Sequence, residues 1–545
     1  MSDNPTAARF DVVVVGARFA GMYMLHRLRG LGLSAVVFEA GSDIGGTWYW
    51  NRYPGARCDV ESMQYSYSFL DALQQDWTWS ERYASQPEIL RYVNHVADRL
   101  ELRRDIRLNT RVTAAAFDDT SATWSVRTDR GEAVEARFCI MATGCLSAAK
   151  LPEVPGLGSF QGKTYHTGQW PHEGVDFTGQ RVGVIGTGSS AIQAIPVIAA
   201  QAAHLHVFQR TPNFSIPARN APLDAEAEAA WKADYAAMRG RAKAMRSGVL
   251  YELNDQSALE ATADEHAAQY GSRWARGGIG FTAAFNDLIF NRQANDTAAD
   301  FVRARIRETV KDPAVAEALL PHDHPLGTKR ICLDTNYYET YNRANVTLVD
   351  VRRAPIAEVT PRGIRTAEAE YALDSIVFAT GFDAMTGAVM KVDVTGRGGA
   401  SLRAKWADGP RTYLGLMTAG FPNLFLITGP GSPSVLSNMM VSIEQHVDCL
   451  ARCIADLRAS AGTCIEATQA AEDDWVAHVN EVADRTLYPT ANSWYMGANV
   501  AGKPRVFMPY IGGVPAYREH CDRIAAEGYP GFATSSPGRQ RAAAE

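Results

Sequence analysis

Apolar and polar positions along the chain alternate between two rhythms. Residues 10–15 form a short apolar run, a glycine-bounded turn follows from Gly16 to Gly21, and residues 22–30 carry apolar side chains at helical spacing before a second apolar run, 35–38, ends in Glu39. That is strand, turn, helix, strand. Residues 112–140 instead alternate in short segments split by Asp118-Asp119 and Asp129-Arg130-Gly131, the pattern of a small antiparallel excursion, and run into Ala142-Thr143-Gly144. The first rhythm returns at 181–185, with a glycine turn at Gly186 to Ala191, a helix over 192–200 and a strand ending at 206–211. From 222 to 324 neither strand pattern holds, and the Ala-rich segments 225–246 and 285–310 predict helices. Strands are predicted at 345–351, 374–379, 413–415 and 421–427, then a helix over 435–458 and a small, polar tail after Thr534.

The fold class this predicts is α/β, with two Rossmann-like dinucleotide-binding domains and a helical insertion in the second. At 545 residues the chain exceeds one core and suits about three domains. The expected division is 1–145 and 380–532 for the first nucleotide domain, 146–222 and 327–379 for a linker and the second, 223–326 for the insertion and 533–545 for a disordered tail.

Charge and cysteines narrow the class. With 54 Lys and Arg against 60 Asp and Glu the formal net charge is −6, so there is no basic field for nucleic acid or an anionic membrane, and a small-molecule partner is favoured. No apolar run reaches the ~18 residues of a membrane span and the start lacks a signal-peptide core, which predicts a cytoplasmic protein. The eight cysteines include no C-x-x-C pair and no zinc spacing, so they read as reduced thiols, with neither a metal site nor a disulfide-reductase centre. Cys449 and Cys453 share one helix face, and Arg303, Arg305 and Arg307 read as a solvated one.

Candidate chemistry sits at the turns. Gly16 and Gly21, with Glu39 about 20 positions on, predict a helix N-terminus that cradles a pyrophosphate and a carboxylate that holds ribose hydroxyls. Arg18 stands where the second glycine of that turn belongs; its side chain is expected to crowd the phosphate, or else to swing outward and offer its guanidinium to the same anion, and a weakened or displaced cofactor is the expectation. In the second turn, Gly186, Thr187, Gly188, Ser189 and Ser190, with Gln193 in the helix, are the predicted cofactor contacts. No acidic residue closes its strand; Arg210 and Thr211 stand there instead, which favours NADPH through a 2′-phosphate.

Two further stretches carry a resemblance. Phe160, Gly162, His166, Trp170 and Pro171 spell F-x-G-x-x-x-H-x-x-x-W-P, and Gly45-Gly46-Thr47-Trp48 through Tyr53-Pro54-Gly55 to Asp59 spell G-G-x-W-x-x-x-x-Y-P-G-x-x-x-D. With the two glycine turns and the paired Ala-Thr-Gly segments at 142–144 and 379–381, the chain resembles the type I Baeyer-Villiger monooxygenases over nearly its whole length. His172 is a departure just beyond the fingerprint.

The resemblance implies FAD and NADPH as cofactors, O2 as co-substrate, and oxygen insertion beside the carbonyl of a cyclic ketone to give a lactone. It makes Arg330 the catalytic cation, oriented by Asp59, and Lys329 the partner of Arg210 on the 2′-phosphate. Gly45, Gly46, Thr47 and Trp48 would line the flavin. Trp494 would meet the nicotinamide ribose or substrate, and Ser434, Val435, Leu436 and Met439 would stand near the substrate. The helix starting near Val435 would face the flavin's pyrimidine end. A cyclopentenone carried as a CoA thioester in camphor degradation, and a homodimer, are implied in the same way. Read without the resemblance, Asp59 is a cap, Lys329-Arg330 is surface charge, His166 binds backbone and Met439 is core. Two alternatives stay open: a flavin enzyme oxygenating a soft N or S centre, and a flavin-impaired NADP-binding protein because of Arg18.

Overall fold

The structure, a computed structural model, describes residues 8–535; segments 1–7 and 536–545 lie outside the described residues. It is organised by two sheets whose strand ends face the same junction. In the first, Ala8–Val15 lies between Ala133–Met141 and Ala35–Phe38, all parallel, and Ile106–Arg107 closes one edge. Buried on both faces, such a strand needs an unbroken apolar run. Val12 and Val14 join the core under the helix Phe19–Gly30, while Val13 and Val15 join the core on the opposite face.

The predicted excursion is Val112–Asp118, Thr123–Thr128 and Ala133–Met141, paired antiparallel. The last of these strands is shared. Its beginning pairs Thr123–Thr128, and its end pairs Leu424–Leu426 in parallel, Cys139 opposite Leu424. A segment far downstream thus completes the first sheet.

The second sheet is parallel, in the order Val346–Asp350, His204–Gln209, Arg181–Ile185, Ser375–Phe378, Lys163–His166. Its helix, Ser189–Gln201, starts at the second glycine turn. The insertion leaves and returns through a parallel ladder, Ser215–Pro217 against Cys332–Asp334, so the segment carrying Lys329 and Arg330 is anchored by the strand that follows it. Between them lie helices Ala225–Ala233, Tyr235–Ala244, Ala263–Arg276, Arg292–Thr309 and Pro313–Leu319.

Several sequence expectations are corrected. The segment 225–246 is two helices, broken at Asp234. The helix expected from 285 starts at Arg292, where the Asn291 side chain accepts the N–H of Gln293 and Ala294. Arg303 is not solvated: it is buried, donates from Nε to the Pro321 carbonyl at 2.9 Å and lies under Phe214. Residues 413–415 form no strand, only a bridge from Tyr413 to Met417. The helix expected from Val435 is a 3-10 turn, Ser434–Leu436, then an extended Ser437, then Met439–Ala459 capped by Asn438. The tail expected to be disordered from 533 begins as strand: Phe532–Ser535 pairs Cys464–Ala467. Among the described residues no helix is long and apolar enough to cross a membrane.

Candidate functional site

The fingerprint segment builds the junction. Lys163–His166 is the edge strand of the second sheet, with His166 opposite Phe378, the residue before the second Ala-Thr-Gly. His166 is buried; its Nδ1 accepts the Gly168 N–H at 3.0 Å and its Nε2 faces the Lys150 carbonyl at 3.2 Å, which also accepts the Thr380 hydroxyl at 2.5 Å. Burial pushes its pKa down, so the ring is neutral at pH 7. Trp170 is buried against Tyr165 and Phe177 and donates its backbone N–H to the Trp50 carbonyl at 3.3 Å. Phe160 packs on the second sheet's core, Gly162 leaves room for its ring and Pro171 follows at the edge. His166 and Trp170 make their bonds to backbone groups and join neighbouring chain segments. His166→Ala is expected to cost about 1–3 kcal/mol by leaving buried backbone groups unsatisfied, read as a lower Tm.

The first glycine turn opens on a groove of about 940 Å³, counting its solvent-facing part, whose walls include Gly16, Arg18, Glu39, Thr47, Trp50 and Asn51. Gly16 has φ +107°, and a Cβ there would lie 2.7 Å from the Ala142 carbonyl oxygen, so glycine lets the turn touch the first Ala-Thr-Gly. A Cβ on Gly21 would strike the Gly16 carbonyl. Glu39 is buried and accepts the Ala17 and Gly41 N–H groups at 2.9 and 2.8 Å. Gly45 packs on Leu90 and Gly46 faces Arg18. Trp48 is buried in the first core with its indole N–H on the Tyr65 oxygen at 3.2 Å; the indole that lines the groove is Trp50, with Phe38 and Phe382 the other aromatics there.

The second turn has the same construction. A Cβ on Gly186, φ +115°, would lie 2.5 Å from the Ala379 oxygen, whereas Gly188 faces open space. Thr187 donates its hydroxyl to the Thr211 carbonyl at 2.7 Å, Ser190 meets Thr167 at 3.2 Å and Ser189 meets the Cys332 sulfur at 3.3 Å. Gln193 is engaged across the junction: its Oε1 accepts the Tyr53 hydroxyl at 2.8 Å and its Nε2 donates to the Arg57 carbonyl at 3.1 Å. Lys329 pairs with Asp323 at 3.6 Å. Its pKa is lowered by burial first and by the like charge of Arg210, with Asp323 opposing. Two cations held this close suit a multiply charged anion.

Between the turns stands Arg330. Its Nε and Nη2 donate to the two oxygens of Asp59 at 2.9 and 2.7 Å, and its Nη1 donates to the Val435 carbonyl at 2.8 Å. Burial works against the charge, but Asp59 outweighs it, with smaller help from Tyr495, so the Arg330 pKa rises above its ordinary value. The result is a permanent cation in a fixed orientation. Around it an apolar cluster gathers Val435, Leu436, Met439, Trp494, Tyr495 and Phe507. Ser434 is buried in the same turn, and Trp494 lies against Tyr495 with centroids 4.1 Å apart. Tyr495, beside Arg330, is the residue the sequence reading passed over; burial raises its phenol pKa while Arg330 lowers it.

The comparisons agree with this geometry. The pyridine nucleotide-disulphide oxidoreductase family model matches residues 13–223. The 2-oxo-Δ3-4,5,5-trimethylcyclopentenylacetyl-CoA monooxygenase of Pseudomonas putida is 43% identical over 544 residues, covering 98% of this chain and 99% of that protein. A Baeyer-Villiger monooxygenase of Pseudooceanicola batsensis is 44% identical, covering 96% of each chain. The solved structure of an oxidised steroid monooxygenase bound to NADP superposes with a TM-score of 0.93 at 54% identity, covering 97% of this chain and 100% of that one.

Proposed function

The chain belongs to the Baeyer-Villiger monooxygenase family, and we propose that it uses FAD, NADPH and O2 to insert oxygen beside the carbonyl of a cyclic ketone, giving a lactone. The observation that carries this reading is the bidentate Arg330–Asp59 pair, set between two glycine turns and against an apolar cluster.

The residues of both turns suit a dinucleotide, with Arg18 the exception in the first. In the first, the helix N-terminus at Gly16 to Gly21, Glu39 and the Gly46 turn suit a flavin dinucleotide. In the second, the open face of Gly188 and the Arg210–Lys329 pair suit a 2′-phosphorylated nicotinamide nucleotide. Bound there, the flavin supplies hydride acceptance and oxygen activation. The chain's own residues do the rest. Arg330 presents a fixed positive charge to anionic oxygen, Asp59 and the Val435 carbonyl hold its plane, and the apolar cluster of Val435, Leu436, Met439 and Phe507 keeps water from its side of the reacting centre. Trp494 packs against this cluster from its loop.

Replacing both Arg210 and Lys329 by alanine is expected to raise the KM for NADPH by about 10²–10⁴-fold, since each charge-assisted contact is worth about 1.5–3 kcal/mol, and to leave the KM for NADH nearly unchanged. Steady-state kinetics with the two coenzymes checks this.

The substrate is proposed as a ketone on a five- or six-membered ring. The relative in P. putida is named for a CoA thioester and the solved neighbour for a steroid, so coupled turnover is to be measured on a neutral cycloalkanone, a cyclopentenone CoA thioester and a steroid ketone. Lactone formation matching NADPH consumption on any of them supports the reading. NADPH oxidation without lactone on all three, with N- or S-oxide formed from amine or sulfide controls, contradicts it.

A further inference from the structure

Arg18 occupies the place of the glycine that normally lets a pyrophosphate approach the turn. Its backbone, φ −102° and ψ −176°, is ordinary extended chain, and its carbonyl accepts the Met22 N–H at 2.9 Å to start the helix. The turn therefore tolerates the residue, and the whole consequence lies in the side chain.

That side chain crosses the groove. On one wall it lies over Gly46, where a Cβ would come 2.6 Å from the Arg18 Cδ; on the other it reaches Gly144, where a Cβ would come 3.0 Å from Nη1. Gly46 belongs to the glycine pair before Trp48 and Gly144 to the first Ala-Thr-Gly, and their neighbours Thr47 and Thr143 both line the groove. Glu39 is the nearest carboxylate, but its oxygens accept the Ala17 and Gly41 N–H groups instead. The guanidinium is thus lodged between the walls without a carboxylate partner among the described residues. Nothing ties it there, so rotation toward solvent breaks no ion pair.

We propose that Arg18 is a gate across the flavin groove, which must swing outward before the cofactor's pyrophosphate reaches the helix N-terminus, making FAD an exchangeable cofactor in this chain. The inference rests on the reading of the groove as a flavin site. Two effects compete: the space filled by Cγ, Cδ and the guanidinium opposes the phosphates, and the positive charge attracts them. Space wins, because the charge is useful only after the stem has left the position it shares with the phosphate, and the backbone N–H groups of the turn already offer donors.

The test is FAD titration of reversibly deflavinated protein, followed by flavin fluorescence, for the wild type, Arg18→Gly and Arg18→Ala, with NADP⁺ binding as the check on folding. Arg18→Gly should bind FAD at least ten-fold more tightly and associate faster, with Arg18→Ala between. Equal affinity overturns the gate. Weaker binding overturns it too, and makes Arg18 a phosphate partner. Should the glycine variant fail to fold, the alanine variant decides alone. Tight FAD binding without ketone oxygenation in Arg18→Gly would count against the proposed function and leave the gate standing, while oxygenation with unchanged affinity would do the reverse.

Discussion

Arg330→Ala is expected to lower lactone formation by about 10²–10³-fold while NADPH consumption in the absence of ketone persists, because a prepositioned charge facing a developing anion is typically worth that much. The geometry states why. The guanidinium spends N–H groups on both Asp59 oxygens and on the Val435 carbonyl, so its plane is fixed before any substrate enters. No reorientation is left for the reacting step. Arg330→Lys keeps a charge but loses the fork that matches a carboxylate, and should recover only a minor part of the activity. Parallel assays of NADPH loss, hydrogen peroxide and lactone separate lost oxygen transfer from lost reduction.

Asp59→Ala is the second large effect. Asp59 is the main group that favours the charge of Arg330, so its removal leaves a half-buried charge with one carbonyl for company. For this half-buried pair the loss of a charge-assisted partner costs about 1.5–3 kcal/mol, and a kcat loss of roughly 10–10²-fold is expected, with KM for ketone little changed. Asp59 acts through Arg330, as a positioning residue. Asp59→Asn, which preserves shape and one acceptor, should fall between the wild type and Asp59→Ala in kcat. A KM rise at constant kcat would instead place Asp59 in ketone binding.

How much of this was legible in the sequence depends on which physical signal carried each part. The two glycine turns were readable because tight turns and a helix N-terminus restrict residue type, and Gly16 and Gly186 touch opposing backbone as that logic requires. The strand 10–15 was readable because a doubly buried strand leaves an apolar run, here Val12 to Val15 after Asp11. Arg330 was not readable from pattern at all: a Lys-Arg pair looks like surface charge until the ladder Cys332–Asp334 draws it inward, and only the resemblance singled it out. Its third acceptor, the Val435 carbonyl, is a backbone atom that every residue carries, so no residue type could announce it. Tyr495 went unnoticed beside the more conspicuous Trp494. Arg303 misled because three arginines at alternate positions suggest a wet face, whereas on a helix they point in different directions, and one is buried under Phe214. Trp48 and Trp50 show the same limit. Which indole faces the groove is set by the turn's geometry, and the short helix Thr47–Trp50 directs Trp48 into the core.

The most direct test of the proposed oxygen insertion is turnover of a cyclic ketone under ¹⁸O2 with NADPH, followed by mass spectrometry of the product. The expected result is a lactone carrying one labelled oxygen in the ring, formed in equal amount to the NADPH consumed, and lost in Arg330→Ala while NADPH oxidation continues. A hydroxylated ketone, label from water, or lactone formation unaffected by Arg330→Ala would contradict it.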